Sequence, residues 1–150
     1  MAPFLEIGIT TWNSAAFIEV ALTAIGRVCG DWQPRVLIWD NGSTDDTVAI
    51  ASKFGATVHV EPLSQPDALN RLAAAATAKR VLLMHADVVL LDTEAFAMCL
   101  DRLDAGAALV SPEDIGCGPW TRPFGRGMPE SSFMLFRGDA LTRLRRWTLG

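Results

Sequence analysis

Residues 36–47 read Val36-Leu37-Ile38-Trp39-Asp40-Asn41-Gly42-Ser43-Thr44-Asp45-Asp46-Thr47. The first four are apolar without interruption, which predicts a short strand covered on both faces. Asp40-Asn41-Gly42-Ser43 follows as a turn. Ser43 or Thr44 is then placed to cap a helix through Phe54, with Asp45 and Asp46 in its first turn, where the helix dipole favours negative charge. Gly55 ends that helix, and Thr57-Val58-His59-Val60 reads as another strand. A buried strand, a helix and a second strand within 25 residues form a βαβ unit, and such a unit implies a parallel sheet.

The same alternation extends outward in both directions. Leu5-Glu6-Ile7-Gly8-Ile9-Thr10 predicts a strand. Asn13 or Ser14 caps a helix over 15–28, with Phe17, Ala21, Ala24 and Val28 on one face. Downstream, Pro66 opens an alanine-rich helix over 67–79, and Val81-Leu82-Leu83-Met84 is again an apolar strand. Asp92 or Thr93 caps a helix over 94–104, which Gly106 ends, and a strand follows over 107–110. Residues 112–129 hold four of the eight prolines and four of the twelve glycines. They predict a long irregular loop, and long loops in compact domains are usually functional. A strand over 132–136 leads to a last helix, capped by Asp139 and carrying Leu141, Leu144 and Trp147. With no internal repeat and no linker, the expected architecture is one α/β domain over 1–150. Its sheet is mixed and mostly parallel, with right-handed crossovers and helices on both faces.

Composition agrees and narrows the function classes. The chain has 150 residues, 50% of them apolar and 20% charged, which is globular and not disordered. No apolar run reaches the length of a spanning helix, and Met1-Ala2-Pro3-Phe4 opens no secretory signal. Cys29, Cys99 and Cys117 are an odd, widely spaced set. They read as reduced thiols, consistent with a cytoplasmic setting. The charge is uneven. Residues 1–121 carry seven Lys/Arg against fifteen Asp/Glu, whereas residues 122–150 carry six Arg against Glu130 and Asp139. The acidic body argues against nucleic acid as a partner. The basic end is either an ordinary solvated surface or a face for diphosphates or the inner face of an anionic membrane.

In an open α/β sheet, ligands bind at the carboxyl ends of the strands. Three polar clusters are expected there: Thr10-Thr11-Trp12-Asn13, Asp40-Asn41-Gly42-Ser43 and His85-Ala86-Asp87. Neither GxGxxG nor GxxxxGK[ST] occurs, so a bound phosphate must have its charge met by something other than a glycine-rich cradle. A divalent cation, Mn²⁺ or Mg²⁺, held by Asp87 and bridging two phosphates would meet it, because hard cations take oxygen ligands and need only one or two carboxylates. Taken singly, each residue also has a plainer reading. Asp40 fits an Asx-turn, Asp87 a turn cap, His85 a partly buried histidine, and Trp12 and Trp39 the core.

Together these segments resemble family 2 glycosyltransferases. Ile7-Gly8-Ile9-Thr10-Thr11-Trp12-Asn13 is similar to the family's opening strand, and residues 36–47 to its V-D-D/N-G-S-T-D-D-T segment. Ala68-Leu69-Asn70 is similar to A-L-N-x-G, although Leu72 stands where glycine is frequent. Leu82-Leu83-Met84-His85-Ala86-Asp87 resembles the metal-binding D-x-D in an H-A-D form, and residues 132–141 resemble a later strand–helix. The resemblance implies a GT-A fold, a nucleotide-sugar donor, an acceptor that the residues do not identify, and an inverting reaction. Thr11, Trp12 and Asn13 would then line the donor site with Asn70. Asp40 would accept a hydrogen bond from the base, His85 would meet the ribose and Asp87 the metal. The family's general base lies past the last matched segment, so it is expected beyond Gly150. That leaves two readings: the donor-binding part of a transferase, or a catalytically inactive nucleotide-sugar-binding protein. A sugar nucleotidyltransferase would need a glycine-rich basic loop after the first strand, and Thr10-Thr11-Trp12-Asn13-Ser14 is neither. The apolar face of the last helix would be left for self-association into a homo-oligomer.

Overall fold

The computed structural model describes residues 4–112, 132–144 and 146–148. The predicted loop beyond Pro112, with Glu113, Asp114, Arg122, Arg126 and Glu130, lies outside them. Along the chain run β1 (Leu5–Thr11), α1 (Ala15–Cys29), β2 (Arg35–Asp40), α2 (Thr47–Lys53), β3 (Thr57–Val60) and α3 (Gln65–Ala75). Then come β4 (Arg80–His85), α4 (Thr93–Asp104), β5 (Leu109–Val110), β6 (Phe133–Arg137) and α5 (Gly138–Leu141). The strands form one sheet in the order β3-β2-β1-β4-β6-β5. β1 pairs in parallel with β2 and β4, β2 pairs in parallel with β3, and β6 runs antiparallel to both β4 and β5. The expected mixed, mostly parallel sheet is what forms.

Strand side chains alternate between two faces, and here both faces are apolar. Leu5, Ile7, Ile9, Ile38, Leu82, Met84 and Leu135 pack against Ile18, Leu22 and Ile25 of α1, Ala51 of α2 and Phe96, Leu100 and Leu103 of α4. On the opposite face Leu37, Val81, Leu83, Met134 and Phe136 meet Leu69 and Leu72 of α3, Leu141 and Trp147. Gly8 lets α3 lie close to the sheet. A Cβ there would stand 2.9 Å from a Leu83 methyl and 3.3 Å from Leu72 Cβ.

One charged residue is built into this second face. Glu6 is 1% exposed. Its carboxylate accepts from Thr77 N at 2.6 Å, Ala78 N at 3.0 Å and Thr77 Oγ1 at 3.0 Å, and it pairs with Arg35. These bonds hold the turn between α3 and β4. They explain why α3 stops at Ala75 instead of running to residue 79: the amides of residues 77 and 78 are bound to Glu6 and not to the helix.

Two further boundaries differ from expectation. α2 starts at Thr47, because the side chains of residues 43–45 bind the neighbouring β1–α1 loop. The last helix ends at Leu141 and does not run on to Trp147. Asn70 of α3 takes the chain out of helical geometry by binding the Trp147 backbone from both sides. Its Nδ2 donates to Trp147 O at 2.8 Å, and its Oδ1 accepts from Trp147 N at 3.0 Å. Leu141 is buried and the Trp147 ring packs edge-on against Phe136. The apolar face expected to drive self-association is therefore folded inward, and of its three residues Leu144 alone is exposed. No helix among the described residues is long and apolar enough to cross a membrane.

Candidate functional site

The strand order turns back between β1 and β4, and at such a switch point a crevice opens above the strand ends. A cavity of about 390 Å³ lies there. Its wall includes Thr11, Trp12 and Asn13 from the end of β1, His85 and Asp87 from the end of β4, and Trp39, Asn41, Leu63, Gln65 and Ala68 from β2 and the approach to α3. Five of the seven expected site residues therefore meet in one place. Trp12 is 64% exposed at its rim, a large apolar ring left to water.

Asp40 and Asn70 are not in the wall. Asp40 is fully buried, and its carboxylate is surrounded by donors. Thr11 Oγ1 lies at 2.8 Å and Ser43 Oγ at 2.5 Å from Oδ2, and the amides of Gly42 and Ser43 lie at 3.1 and 2.8 Å from Oδ1. Asp40 therefore fixes the turn after β2 and ties it to β1. Asn70 is the clasp on Trp147. Beside Asp40, Asn41 does reach the wall, with its side-chain oxygen accepting from Leu63 N.

The amides of the β1–α1 loop are held by side chains of the β2–α2 loop, by Thr47 at the start of α2 and by the loop's own serine. Trp12 N donates to Ser14 Oγ at 3.4 Å, Asn13 N to Ser43 Oγ at 2.8 Å, Ser14 N to Thr47 Oγ1 at 2.8 Å and Ala15 N to Asp45 Oδ2 at 3.0 Å. Asn13 sits at φ +46° and its Oδ1 accepts from Thr44 N at 2.9 Å. Asp45 thus caps α1 from a different loop. The Thr47 hydroxyl, followed by the amides of Ala15 and Thr47, holds its carboxyl below the ordinary range. The amides of residues 12–15 are all engaged.

At the other side of the cavity, the Gln65 side-chain amide and His85 Nε2 are hydrogen-bonded at 2.6 Å. Asp87 is exposed, and its carboxylate makes no hydrogen bond or ion pair among the described residues. No lysine or arginine lines the cavity, and no group of three metal-ligating side chains forms among the described residues. Cys29 and Cys99 lie elsewhere, and burial pushes the Cys29 thiol up to about 12 and raises that of Cys99.

The family model described as "Glycosyl transferase family 2" matches residues 6–148. The chain belongs to glycosyl transferase family 2. Among curated proteins none is significantly similar in sequence. Solved structures of similar fold include the mannosyltransferase PcManGT from Pyrobaculum calidifontis in complex with GDP-Man and Mn²⁺, at TM-score 0.76 and 20% identity over 99% of this chain and 48% of that one. Glucosyl-3-phosphoglycerate synthase from Mycobacterium tuberculosis, in complex with UDP, follows at TM-score 0.67 and 19% identity, covering 90% of this chain and 57% of the synthase. TarS 1-349 from S. aureus gives 0.68 and 18%, covering 95% and 49%. The family 2 chain described here spans about half the length of these structures and shares their GT-A fold. Sequence reading of this family 2 member missed Trp39, Asn41 and Gln65 as wall residues. Trp39 lies inside an apolar strand, and only the strand register and the placement of α3 bring it to the cavity.

Proposed function

We propose that the cavity binds the nucleoside diphosphate of a nucleotide sugar, and that the chain is the donor-binding part of an inverting glycosyltransferase acting on an acceptor hydroxyl. The observation that carries this reading is the combination, at one switch point, of an exposed tryptophan, a carboxylate without a partner among the described residues, and no cationic side chain in the described wall. A diphosphate brought beside Asp87 meets no lysine or arginine in the described wall, and like charges at such range repel. Mg²⁺ or Mn²⁺ would supply the missing charge, and Asp87 would hold it together with phosphate oxygens of the donor.

The chain's own residues do the rest. Trp12 offers a ring face to the base. Asn41, at the end of β2, is placed to meet the base edge, while Asp40 beneath it keeps that turn rigid and holds the Thr11 hydroxyl in place. His85, hydrogen-bonded to Gln65 at the end of β4, is placed to meet the ribose.

The test is thermal unfolding of the chain with UDP, GDP, ADP or CDP, each with Mn²⁺ and each with EDTA. A ligand at 100 times its Kd stabilises by about 2.7 kcal/mol. At roughly 2–4 °C per kcal/mol for this size, the melting temperature should rise by about 5–11 °C. Asp87→Ala should remove the metal-dependent part. An equal rise in EDTA overturns the role given to Asp87 and the cation.

A further inference from the structure

Trp39 carries an unexplained donor. Its indole Nε1–H is buried and has no acceptor among the described residues, although the residue lines the cavity. An unpaired buried donor costs stability, so its persistence asks for a reason. The ring itself is firmly placed: it stacks on His59 with centroids 4.7 Å apart and planes at 21°, and the Arg71 guanidinium lies 6.0 Å from its centre. Strand register then fixes its position relative to the rest of the site. Trp39 of β2 is paired with Thr10 of β1, and Thr10 with His85 of β4. These three side chains stand in one row on the face toward α3, and all three line the cavity. Neighbouring strands are about 4.8 Å apart, so Trp39 and His85 stand roughly 10 Å apart across the floor. That span suits a nucleoside with its phosphates at the His85–Asp87 end and its base at the Trp39 end.

We infer that the Trp39 indole N–H is a base-recognising donor, completed by a ring acceptor or carbonyl of the bound nucleobase. The inference rests on the nucleotide reading above and adds to it a specificity-determining residue. The unliganded protein keeps the donor unpaired, and the base pairs it.

The experiment is calorimetric titration of the wild type and Trp39→Phe with the UDP, GDP, ADP and CDP complexes of Mn²⁺, and with Mn²⁺-pyrophosphate. Phenylalanine keeps a ring and deletes the donor. Affinity for the nucleotide that binds the wild type best should fall roughly 3- to 10-fold, pyrophosphate affinity should stay unchanged, and the unliganded variant should melt no lower than the wild type. Should the variant fold poorly, the wild-type indole ¹⁵N–H resonance of Trp39, assigned through the backbone, gives an independent readout. It should shift and gain exchange protection with the Mg²⁺ complex of that nucleotide and not with Mg²⁺-pyrophosphate. A folded variant with wild-type nucleotide affinity, an equal loss of pyrophosphate, or an indole resonance unmoved by nucleotide overturns the assignment. A wild type that binds pyrophosphate but no nucleotide overturns it too. Binding of neither removes the donor-site reading itself.

Discussion

At the scale of single residues, two carboxylates outside the cavity wall, Asp40 and Asp45, organise the loops that form it. Asp45 caps α1 from the β2–α2 loop, and the Thr47 hydroxyl and two amides hold its pKa low. A carboxyl with a depressed folded pKa contributes stability above its unfolded value, near 4, and loses that contribution as pH falls through the folded value. The melting temperatures of wild type and Asp45→Asn should therefore differ most at pH 6–7. The gap should begin to close below about pH 4 and go on closing as the pH falls further; a gap independent of pH would mean that the charge of Asp45 plays no part. The sequence marked Asp40 and Asp87 as candidate site residues and Asp45 only as a first-turn carboxylate of the next helix, whereas the structure has Asp45 capping α1. Whether a carboxylate is surrounded by donors, as Asp40 is, or left open, as Asp87 is, depends on which loops meet, and that is decided by the fold. Asn70 is the same case: a polar residue legible as important, whose partner lies 77 positions away.

At the scale of elements, legibility follows the range of the interaction. The six strands were all expected near their places, because a run of apolar residues between turn residues is a local signal. Helix ends were read less well, since those of α3 and α5 are set by Glu6 and by Asn70, residues remote in sequence. The junction of β6 with α5 has a similar remote partner. Gly138 donates its amide to Lys79 O at 2.8 Å, and a Cβ there would lie 2.2 Å from Ala78 O. A backbone oxygen cannot swing away as a side-chain tip can. Gly138→Ala should cost about 3 kcal/mol by overpacking, lowering the melting temperature by roughly 6–12 °C. Thermal denaturation followed by circular dichroism measures it, and an unchanged midpoint would mean that the turn over 76–79 yields to the methyl group.

For the molecule as a whole, Glu6 joins β1, β2 and the α3–β4 turn through one buried carboxylate. Removing one member of such a cluster leaves buried groups without partners, which costs about 3–5 kcal/mol. Glu6→Ala should lower the urea midpoint accordingly and Glu6→Gln should lower it less, because an amide oxygen still accepts. Equal midpoints for the two variants would deny the carboxylate this role. The strand order has a consequence of another kind, in time. β6 lies between β4 and β5 although the chain makes it after both. As the protein is synthesised, β4 emerges with its outer edge bare, and that edge is Val81-Leu82-Leu83-Met84. β5 cannot cover it without filling the slot that belongs to a strand not yet made. At roughly 5–20 residues per second, the interval from Met84 to Phe133 lasts about two to ten seconds. For that interval an apolar strand edge stands open beside a growing chain, the condition under which sheets pair with the wrong neighbour. Closure of the sheet therefore waits on the strand that completes its middle, not on one that extends its rim.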